Sequence, residues 1–564
     1  MAADVSEIAA SLPYHEPAIV NILVLTSLLL LLNVINVALD RVLYCGLLGQ
    51  VLIGIAWGTP GAKWLSVSME ETIVQLGYLG LILLVYEGGL HTSFQSLKAN
   101  LLLSSGVALT GIAVPIGLSY TLQRLLDATP VQAFAAGAAL CSTSLGTTFT
   151  VLTSSGLASS RLGVVLTSAA MMDDVVGLVM VQVIWNLGDD SFSWVTVVRP
   201  VLVSVAFAVI VPLVCLLIAR PLTLWSNSCR EAHPTADING LLQRTQTAFT
   251  IHTLLLIGLV TGASYAGTSN LFAAYIVGAA ISWWDSEVPH PSFNTGVTVE
   301  EKTTNPASAS QDATSATSSV PVEKDSAGPS SMLSNEENSD QTCGSVVYQH
   351  YYHPAVSKIL QPFFFASVGF SIPITRMFKG AIVWRGIVYT VLMTFGKLVC
   401  GLWLVRLSPL PGNGALSRLL FQVKHPSVPH LWGKNNHTAS TSQVQAPTEP
   451  RSRNPPLNAT NSETRKPFSL YPALILALAM CARGEIGFLV SSIAESNGVF
   501  SGSGEASDQP SDIFLVVTWA IVLCTIIGPL GVGLSVRRMR QVQDRKNKQQ
   551  EGARRDVLGF WGVE

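Results

Sequence analysis

The chain alternates between long apolar runs and short polar connections along most of its length. The runs have about 17–25 residues, which is the length of helix needed to cross roughly 30 Å of hydrocarbon. Because a bilayer offers the backbone no hydrogen-bond partners, such runs predict helices and an all-α polytopic membrane fold. Thirteen spans are predicted, at residues 18–38, 42–58, 72–90, 99–119, 131–153, 161–186, 195–219, 245–263, 268–284, 355–374, 380–405, 469–495 and 512–534.

Two long polar segments, 285–353 and 407–468, interrupt this series. Both are rich in Ser, Thr, Asn, Glu and Pro and show almost no apolar periodicity, so they are predicted to be disordered cytoplasmic insertions. The remaining parts of the predicted organisation are an N-terminal tail at 1–17, spans one to nine at 18–284, spans ten and eleven at 354–406, spans twelve and thirteen at 469–534, and a basic tail at 535–564.

The composition supports the membrane assignment and excludes other classes. Hydrophobic residues make up 49% of the chain and charged residues 12%, whereas soluble domains carry about 25% charged residues. The formal net charge of −2 gives no indication of nucleic-acid binding. The eight cysteines have no spacing typical of a zinc site or a disulfide framework.

The basic residues predict the orientation of the spans. Cytoplasmic loops of membrane proteins carry an excess of Lys and Arg, and the segment after the last span is strongly basic. We therefore expect a cytoplasmic C-terminus and, with thirteen crossings, an external N-terminus. The sequence does not distinguish the plasma membrane from the vacuole or the Golgi. The basic residues of this tail include Arg537, Arg538, Arg540, Arg545, Lys546 and Lys548.

Asp173 and Asp174 lie at the centre of the sixth predicted span. A charged residue at mid-bilayer costs about 2.5–3.5 kcal/mol even on an insertion scale, so two of them indicate a function. Consecutive helical residues point about 100° apart, and one partner cannot neutralise both. We expect a coupled ion- and proton-binding site; the alternative is a pair of satisfied hydrogen bonds between helices.

Lys397, in the eleventh predicted span, is the expected positive partner of these carboxylates. It lies eight residues from the cytoplasmic end of that span, or about 12 Å at helical rise. This depth is too great for easy access to the interface, although a lysine that extends its stem toward the headgroups is the alternative.

Two spans contain polar, glycine-bearing segments that predict broken helices. The fifth span includes Thr143, Ser144 and Thr147 within the hydroxyl-rich stretch 140–148, and the twelfth includes Arg483 and Glu485. Interrupted helices at corresponding positions of two halves indicate an inverted-repeat transporter site. The alternatives are close packing through small residues in the fifth span and mutual neutralisation of Arg483 and Glu485 in the twelfth.

These residues make the chain resemble the cation:proton antiporters of the sodium/hydrogen exchanger superfamily, in the branch with a double aspartate. The resemblance covers nearly every span and omits the two insertions and the tails. One departure is Gln50, where many relatives have an acid. The matching segments are Gly49-Gln50, Gly54, Gly58-Thr59-Pro60, the stretch 80–90 that contains Glu87, Asp173-Asp174, the stretch 364–371, Gly396-Lys397 and Arg483-Gly484-Glu485.

The resemblance implies a dimerisation panel formed by spans 1–3 and 8–10 and a core formed by spans 4–6 and 11–13, where two broken helices cross. It implies that Asp174 is the principal carboxylate for the ion and the proton. Asp173 would pair with Lys397, and Thr143 would offer a hydroxyl. Asp174 and Asp173 would then hold Na⁺ or K⁺, which are hard cations that favour oxygen donors.

The expected function is exchange of a monovalent cation for protons by alternating access, in a homodimer within the lipid bilayer, with a role in pH homeostasis. Neither enzymatic activity nor a cofactor is expected. A channel-like potassium-efflux system is the alternative within transport. An intramembrane aspartyl protease is disfavoured because its two aspartates normally come from two helices. A sensor that has lost transport is a further alternative.

Overall fold

The computed structural model describes residues 16–43, 45–92, 94–144, 146, 152, 156–158, 160–188, 194–233, 237–242, 244–288, 342–405, 470–501, 510–549 and 561. Within these residues the chain is helical and contains no strand, which confirms the predicted all-α fold class. The two predicted insertions lie mostly outside the described residues, but the described end of the first forms a helix at Gly344–Tyr351, so the prediction of disorder is wrong for that part. The rest of the predicted disorder, and the predicted division into domains, stay predictions.

The first half of the chain forms twelve described helices. Several begin directly after a polar residue whose side chain accepts from a free backbone amide; for example, the Thr129 side chain caps the helix that begins at Pro130. The helices are α1 Ile19–Leu43, α2 Gly46–Trp57, α3 Val67–Leu90, α4 Phe94–Ser119, α5 Leu122–Leu125, α6 Pro130–Ala139, α7 Arg161–Leu187, α8 Trp194–Val214, α9 Arg220–Ala232, α10 Asp237–Leu242, α11 Thr245–Ala266 and α12 Asn270–Glu287.

The second half adds eight described helices, and π and 3₁₀ segments join some of them. A π segment at Cys215–Ala219 also links α8 to α9 in the first half. The others are a π segment at Val356–Leu360 and a 3₁₀ segment at Val399–Leu404. The helices are α13 Gly344–Tyr351, α14 His353–Ala355, α15 Gln361–Phe370, α16 Ile374–Met377, α17 Gly380–Leu398, α18 Tyr471–Ala479, α19 Glu485–Ser496 and α20 Asp512–Gln549.

Eight of the described helical segments are long and apolar enough to cross a membrane, and α2 is a shorter apolar helix. The predicted number of thirteen spans stays a prediction. Two helical segments continue past the predicted ends of their spans: the seventh runs to Ala232 rather than 219, and α20 runs to Gln549 rather than 534. The continuation of α20 carries arginines with exposed side chains, so the helix persists where the apolar run has ended.

The helices pack in two groups. Helices α1, α2, α3, α12 and α15 contact one another, and α3 and α12 approach so closely that the Cα of Gly278 would lie 3.0 Å from a Cβ added at Gly89. Helices α4, α6, α7, α17, α18, α19 and α20 form the second group. The second group encloses the fully buried side chains of Asp173, Lys397 and Arg483. Charges buried at this depth require polar partners, which directs attention to this interior.

Both predicted helix breaks are present. Helix α6 ends at Ala139 after 10 residues, well before the predicted end of the fifth span, and the chain then runs without helical structure through Ser144. Helix α18 ends at Ala479, and α19 begins at Glu485. The Ser144 amide donates to the Ala482 carbonyl at 2.9 Å, so the two non-helical segments meet. The crossing lies beside the centre of α7.

Candidate functional site: a buried ion pair beside an accessible carboxylate

Helix α7 positions the two aspartates at the middle of its length. Ser160 caps the helix by accepting from the Gly163 amide, and the helix continues without a break to Leu187. Because the two residues are adjacent, their side chains leave the helix about 100° apart. Asp173 is fully buried, whereas Asp174 is partly exposed.

Asp173 forms an ion pair with Lys397, which lies in the last turn of α17. The Lys397 Nζ is 2.7 Å from Oδ2 of Asp173, and both side chains are 0% exposed. The Thr143 hydroxyl donates to the same carboxylate oxygen at 2.5 Å. The carboxylate therefore receives one charge-assisted hydrogen bond from the ammonium and one from the first helix break.

The Lys397 ammonium has three acceptors, which equals the number of its N–H donors. Besides Asp173, it donates to the Cys141 carbonyl at 2.6 Å and to the Thr143 hydroxyl at 3.0 Å. Cys141 lies two residues beyond the end of α6, so its carbonyl oxygen takes no part in the hydrogen bonds of that helix and can accept from other groups. The break in the helix thus provides part of the environment that allows a lysine charge to be buried.

Arg483, from the second break, also bonds the first break. Its Nη1 donates to the Ser142 carbonyl at 2.6 Å and to the Cys141 carbonyl at 3.3 Å. The ion pairs found among the described residues do not include Arg483 with Glu485. The side chain of Arg483 therefore binds the carbonyl end of α6, where the helix dipole favours a positive charge.

Asp174 has a different set of neighbours. The Ser142 hydroxyl donates to its Oδ1 at 3.0 Å. Glu485, in the first turn of α19, interacts electrostatically with Asp174 and with the Ser144 hydroxyl. Ser142 and Ser144 are themselves buried. Two carboxylates and two hydroxyls thus lie around one partly exposed position.

Two glycines allow the helix breaks to approach this position. A Cβ added at Gly177 on α7 would lie 2.9 Å from Cβ of Ser142 and 3.1 Å from a side-chain carbon of Ile486. A Cβ added at Gly484 would lie 2.5 Å from the Ser144 hydroxyl oxygen. A larger residue at either position would therefore separate the parts that form the site.

Most of the residues predicted from sequence lie together in the structure. Glu87 does not: it is near the end of α3, and its carboxylate lies 3.9 Å from the His91 ring. Thr147 lies outside the described residues. The residues brought together at the two breaks and α7 are Asp173, Asp174, Thr143, Ser144, Lys397, Arg483 and Glu485.

Ser142 was not among the residues predicted from the sequence, although its hydroxyl donates to Asp174. Ser142 belongs to the hydroxyl-rich stretch 140–148 that predicts the first helix break, and this membership is the feature of the sequence that could have identified it. The backbone carbonyls of Cys141 and Ser142 were also not assigned individually. Outside a regular helix the direction of each group does not follow a fixed period, so the sequence could not select among them.

The arrangement brings carboxylate and hydroxyl oxygens together, and the two carboxylate residues among them, Asp174 and Glu485, are partly exposed. Such oxygens suit hard cations, and a carboxylate can hold a proton instead of a cation. The Asp173–Lys397 pair has its own polar partners and does not depend on a bound ion for charge compensation.

Comparisons with known proteins agree with this geometry. A sequence model described as "Sodium/hydrogen exchanger, transmembrane" matches residues 22–300. The Na⁺/H⁺-K⁺ antiporter GerN of Bacillus cereus is 28% identical over 165 residues, which are 29% of this chain and 42% of GerN. The high-affinity Na⁺/H⁺ antiporter NhaS3 of Synechocystis is 32% identical over 140 residues, or 24% of this chain and 30% of NhaS3.

Two further comparisons have lower sequence identity, and the second covers most of the chain. Cation/H⁺ antiporter 18 of Arabidopsis thaliana is 26% identical over 229 residues, which are 38% of this chain and 26% of that protein. The chain thus spans less than half the length of each of these curated relatives. The solved structure of the sodium proton antiporter MjNhaP1 from Methanocaldococcus jannaschii has a TM-score of 0.51 at 11% identity and covers 92% of this chain and 98% of its own. This similarity establishes the fold.

Proposed function

Because the chain belongs to the sodium/hydrogen exchanger superfamily, we propose that it exchanges a monovalent cation, Na⁺ or K⁺, for protons across a membrane. The observation that carries the proposal is the contrast between the two adjacent carboxylates. Asp173 is closed off by Lys397 and Thr143, whereas Asp174 is partly exposed and bonded by Ser142. The antiport activities for which GerN and NhaS3 are named support a cation and a proton as the two ligands.

In the proposed mechanism, Asp174 binds either the cation or the proton. An ionised Asp174 offers oxygens to the cation together with the Ser142 hydroxyl, and Glu485 adds negative charge nearby. A proton on Asp174 removes the charge that attracts the cation, so the two ligands compete. Exchange follows because either loaded form carries less unbalanced charge than the empty form through the apolar barrier.

Asp173 and Lys397 act in this proposal as the fixed charges that hold the site together. Their bonds with Cys141 and Thr143 keep the first break against α7. Arg483 holds the second break against the first through the Ser142 carbonyl. These contacts align Ser142 and Glu485 on the accessible side of the helix.

The proposal extends to how the two packed groups of helices move. The group that contains α7 and both breaks would act as the transporting core, and the group that contains α3, α12 and α15 would act as the panel. We propose that the panel also forms a homodimer interface. The core would then move relative to the panel when Asp174 is loaded, as alternating access requires.

The test is ion flux in proteoliposomes that contain the purified full-length protein. An outward proton gradient is imposed, and Na⁺, K⁺ or Li⁺ is added in turn while a pH dye reports proton movement. Wild-type protein should dissipate the gradient on addition of its cation, and Asp174→Asn should abolish the effect. Cation movement without proton movement would instead favour a channel-like function.

Asp512→Asn is the matched control for loss of a carboxylate. Asp512 begins α20, and its exposed side chain pairs with Arg376 at 3.0 Å, away from the two helix breaks. A surface ion pair of this kind contributes about 0–1 kcal/mol, so the variant should exchange ions like the wild type. Wild-type exchange by Asp174→Asn would contradict the proposal.

A further inference from the structure

Helix α9 continues the seventh helical segment beyond the length that a bilayer requires. The segment runs from Val197 to Ala232 through α8, the π segment and α9, and its 36 residues measure about 54 Å at helical rise. The hydrocarbon core is about 30 Å thick, and even at a tilt of about 40° the segment would span about 41 Å. The 13 residues of α9 therefore extend beyond a single crossing.

The face of α9 that is turned toward the rest of the protein is polar. Thr223, Asn227 and Arg230 follow one another at the spacing of a helix face, and all three are partly or fully buried. The Thr223 hydroxyl accepts from Nε1 of Trp284 at 3.0 Å, and Nε of Arg230 donates to Oδ1 of Asn239 at 3.2 Å. Hydrogen bonds thus join this face of α9 to α12 and α10.

The outward face of α9 is apolar. Leu222, Trp225 and Cys229 share this face, since they are three and then four residues apart. Leu222 is 58% exposed and Trp225 is 67% exposed, and Cys229 is also exposed. A surface helix of a water-soluble protein turns its apolar face inward and its polar face outward. The inverse arrangement in α9 indicates that its outer side meets an apolar environment.

The lipid bilayer is the environment that fits this face. The face continues a surface of exposed apolar side chains on α8 and the π segment, among them Leu217 at 71% and Ile218 at 59%. That surface belongs to a membrane-spanning segment and contacts acyl chains. The outward face of α9 is therefore continuous with the lipid-facing surface of the protein.

Trp284 indicates the depth at which α9 lies. It is in the last turn of α12, next to Asp285 and close to Glu287, where the apolar part of that helix ends. Tryptophan is enriched at the boundary between the membrane and water. Because Trp284 bonds Thr223, we place the start of α9 at this boundary.

We propose that α9 is an interfacial helix that binds the boundary between phospholipid headgroups and acyl chains through the face of Leu222 and Trp225. The exposed Arg220, at the start of α9, supplies a positive charge for the lipid phosphates. Helix α8 contacts both α7 and α12, so the interfacial helix is attached to the segment that lies between the two packed groups. This inference concerns binding to the bilayer and does not depend on which ions are transported.

The experiment measures the depth of a fluorescent probe on Cys229 in liposomes that contain the full-length protein. All eight cysteines are described, and Cys229 is the exposed one; serine replaces the partly buried Cys215 and Cys343 to restrict labelling. Iodide quenches the probe from the water. Lipids with a nitroxide either near the headgroup or deep in the acyl chain quench it from the membrane. The shallow nitroxide should quench most strongly, and iodide should quench weakly.

Leu222→Asp places a charge on the outward face and should release α9 from the bilayer. The ratio of shallow-nitroxide quenching to iodide quenching should fall by at least about threefold, because interfacial binding depends on the apolar area that is buried. Leu224→Asp is the matched control: it makes the same substitution about 200° around the helix, on the side that carries Arg220. It should leave the ratio unchanged.

Four outcomes would overturn the inference. Strong iodide quenching of the wild-type probe without nitroxide quenching would show that α9 extends into water. Strongest quenching by the deep nitroxide would place α9 within the membrane crossing. Protection from every quencher would show that a second copy of the chain covers the face. Equal loss in Leu222→Asp and Leu224→Asp would refute the assignment of the face. The wild-type measurement leaves this face unchanged, so it decides the question even if Leu222→Asp does not fold.

Discussion

The two sides of helix α7 differ in the partners and the exposure of their carboxylates. On one side, Asp173 and Lys397 are both 0% exposed, and Lys397 has an acceptor for each of its three N–H donors. On the other side, Asp174 is partly exposed and accepts a hydrogen bond from Ser142. Adjacent residues of the same chemical type therefore occupy a closed and an open environment.

In the proposed function, one helix holds both a structural charge, on Asp173, and a functional one, on Asp174. A buried ion pair contributes little net stability compared with apolar residues, but loss of one member leaves an uncompensated charge. A partly exposed carboxylate can change its ligand without such a loss. We therefore expect substitutions on the Asp173 side to change stability first and substitutions on the Asp174 side to change ion binding first.

The largest expected effect is that of Lys397→Met. Asp173 would lose its ion pair while remaining buried, and the free energy of unfolding should fall by about 3–5 kcal/mol. Thermal unfolding of the purified protein in detergent measures this change. The double variant Asp173→Asn, Lys397→Met removes both charges and should recover part of the loss; a single variant as stable as the wild type would show that the pair is not a structural element.

Thr143→Val should have the next largest effect, because Thr143 donates to the buried carboxylate and accepts from Lys397. Hydrogen bonds to charged groups contribute about 1.5–3 kcal/mol, and unfolding of the variant should shift accordingly. Thr390→Val is a matched control on α17: Thr390 is 2% exposed, and its hydroxyl bonds the Gly386 carbonyl of its own helix at 2.7 Å. Equal destabilisation by both variants would argue against a special role for the closed side.

The sequence was sufficient to predict the main parts of the closed side. Asp173 and Lys397 are charges within apolar runs, and a buried charge needs a partner, so Lys397 was expected to pair with one of the two aspartates. The choice of Asp173 came from the family resemblance, and the structure places the two together. The two broken helices followed from polar and glycine-bearing segments in spans five and twelve. In both cases the energetic cost of polar groups in hydrocarbon restricts the possible structures.

The open side was less predictable because its geometry depends on non-helical backbone. The sequence selected Thr143 and Ser144, but Ser142 is the hydroxyl on Asp174. Glu87 appeared within a stretch that resembled the family, yet it lies beside His91. The extension of α20 to Gln549 was also not predicted, since an apolar run marks the membrane crossing and not the end of the helix.

Gly177→Ala tests the contact that brings the two sides together. The added methyl group would lie 2.9 Å from Cβ of Ser142, which is too close without movement of the first break. Overpacking of this kind costs about 1–3 kcal/mol, measured as a lower unfolding temperature. Gly262→Ala on α11 is the control, because nothing lies within 4 Å of its added methyl group, and the helix should be unchanged or slightly stabilised.

Ser142→Ala should have the smallest effect on stability and should act on ion binding instead. Its hydroxyl donates to Asp174 at 3.0 Å, and a hydrogen bond of this kind contributes about 0.5–1.5 kcal/mol, so the half-saturating cation concentration should change by about twofold to tenfold. Flux titration together with thermal unfolding measures both quantities.

Thr143→Val is the counterpart of Ser142→Ala from the closed side, where stability should change more than ion binding. If Ser142→Ala lowered stability as much as Thr143→Val and left the cation titration unchanged, both sides of α7 would be structural, and the distinction between a closed and an open carboxylate would have to be abandoned.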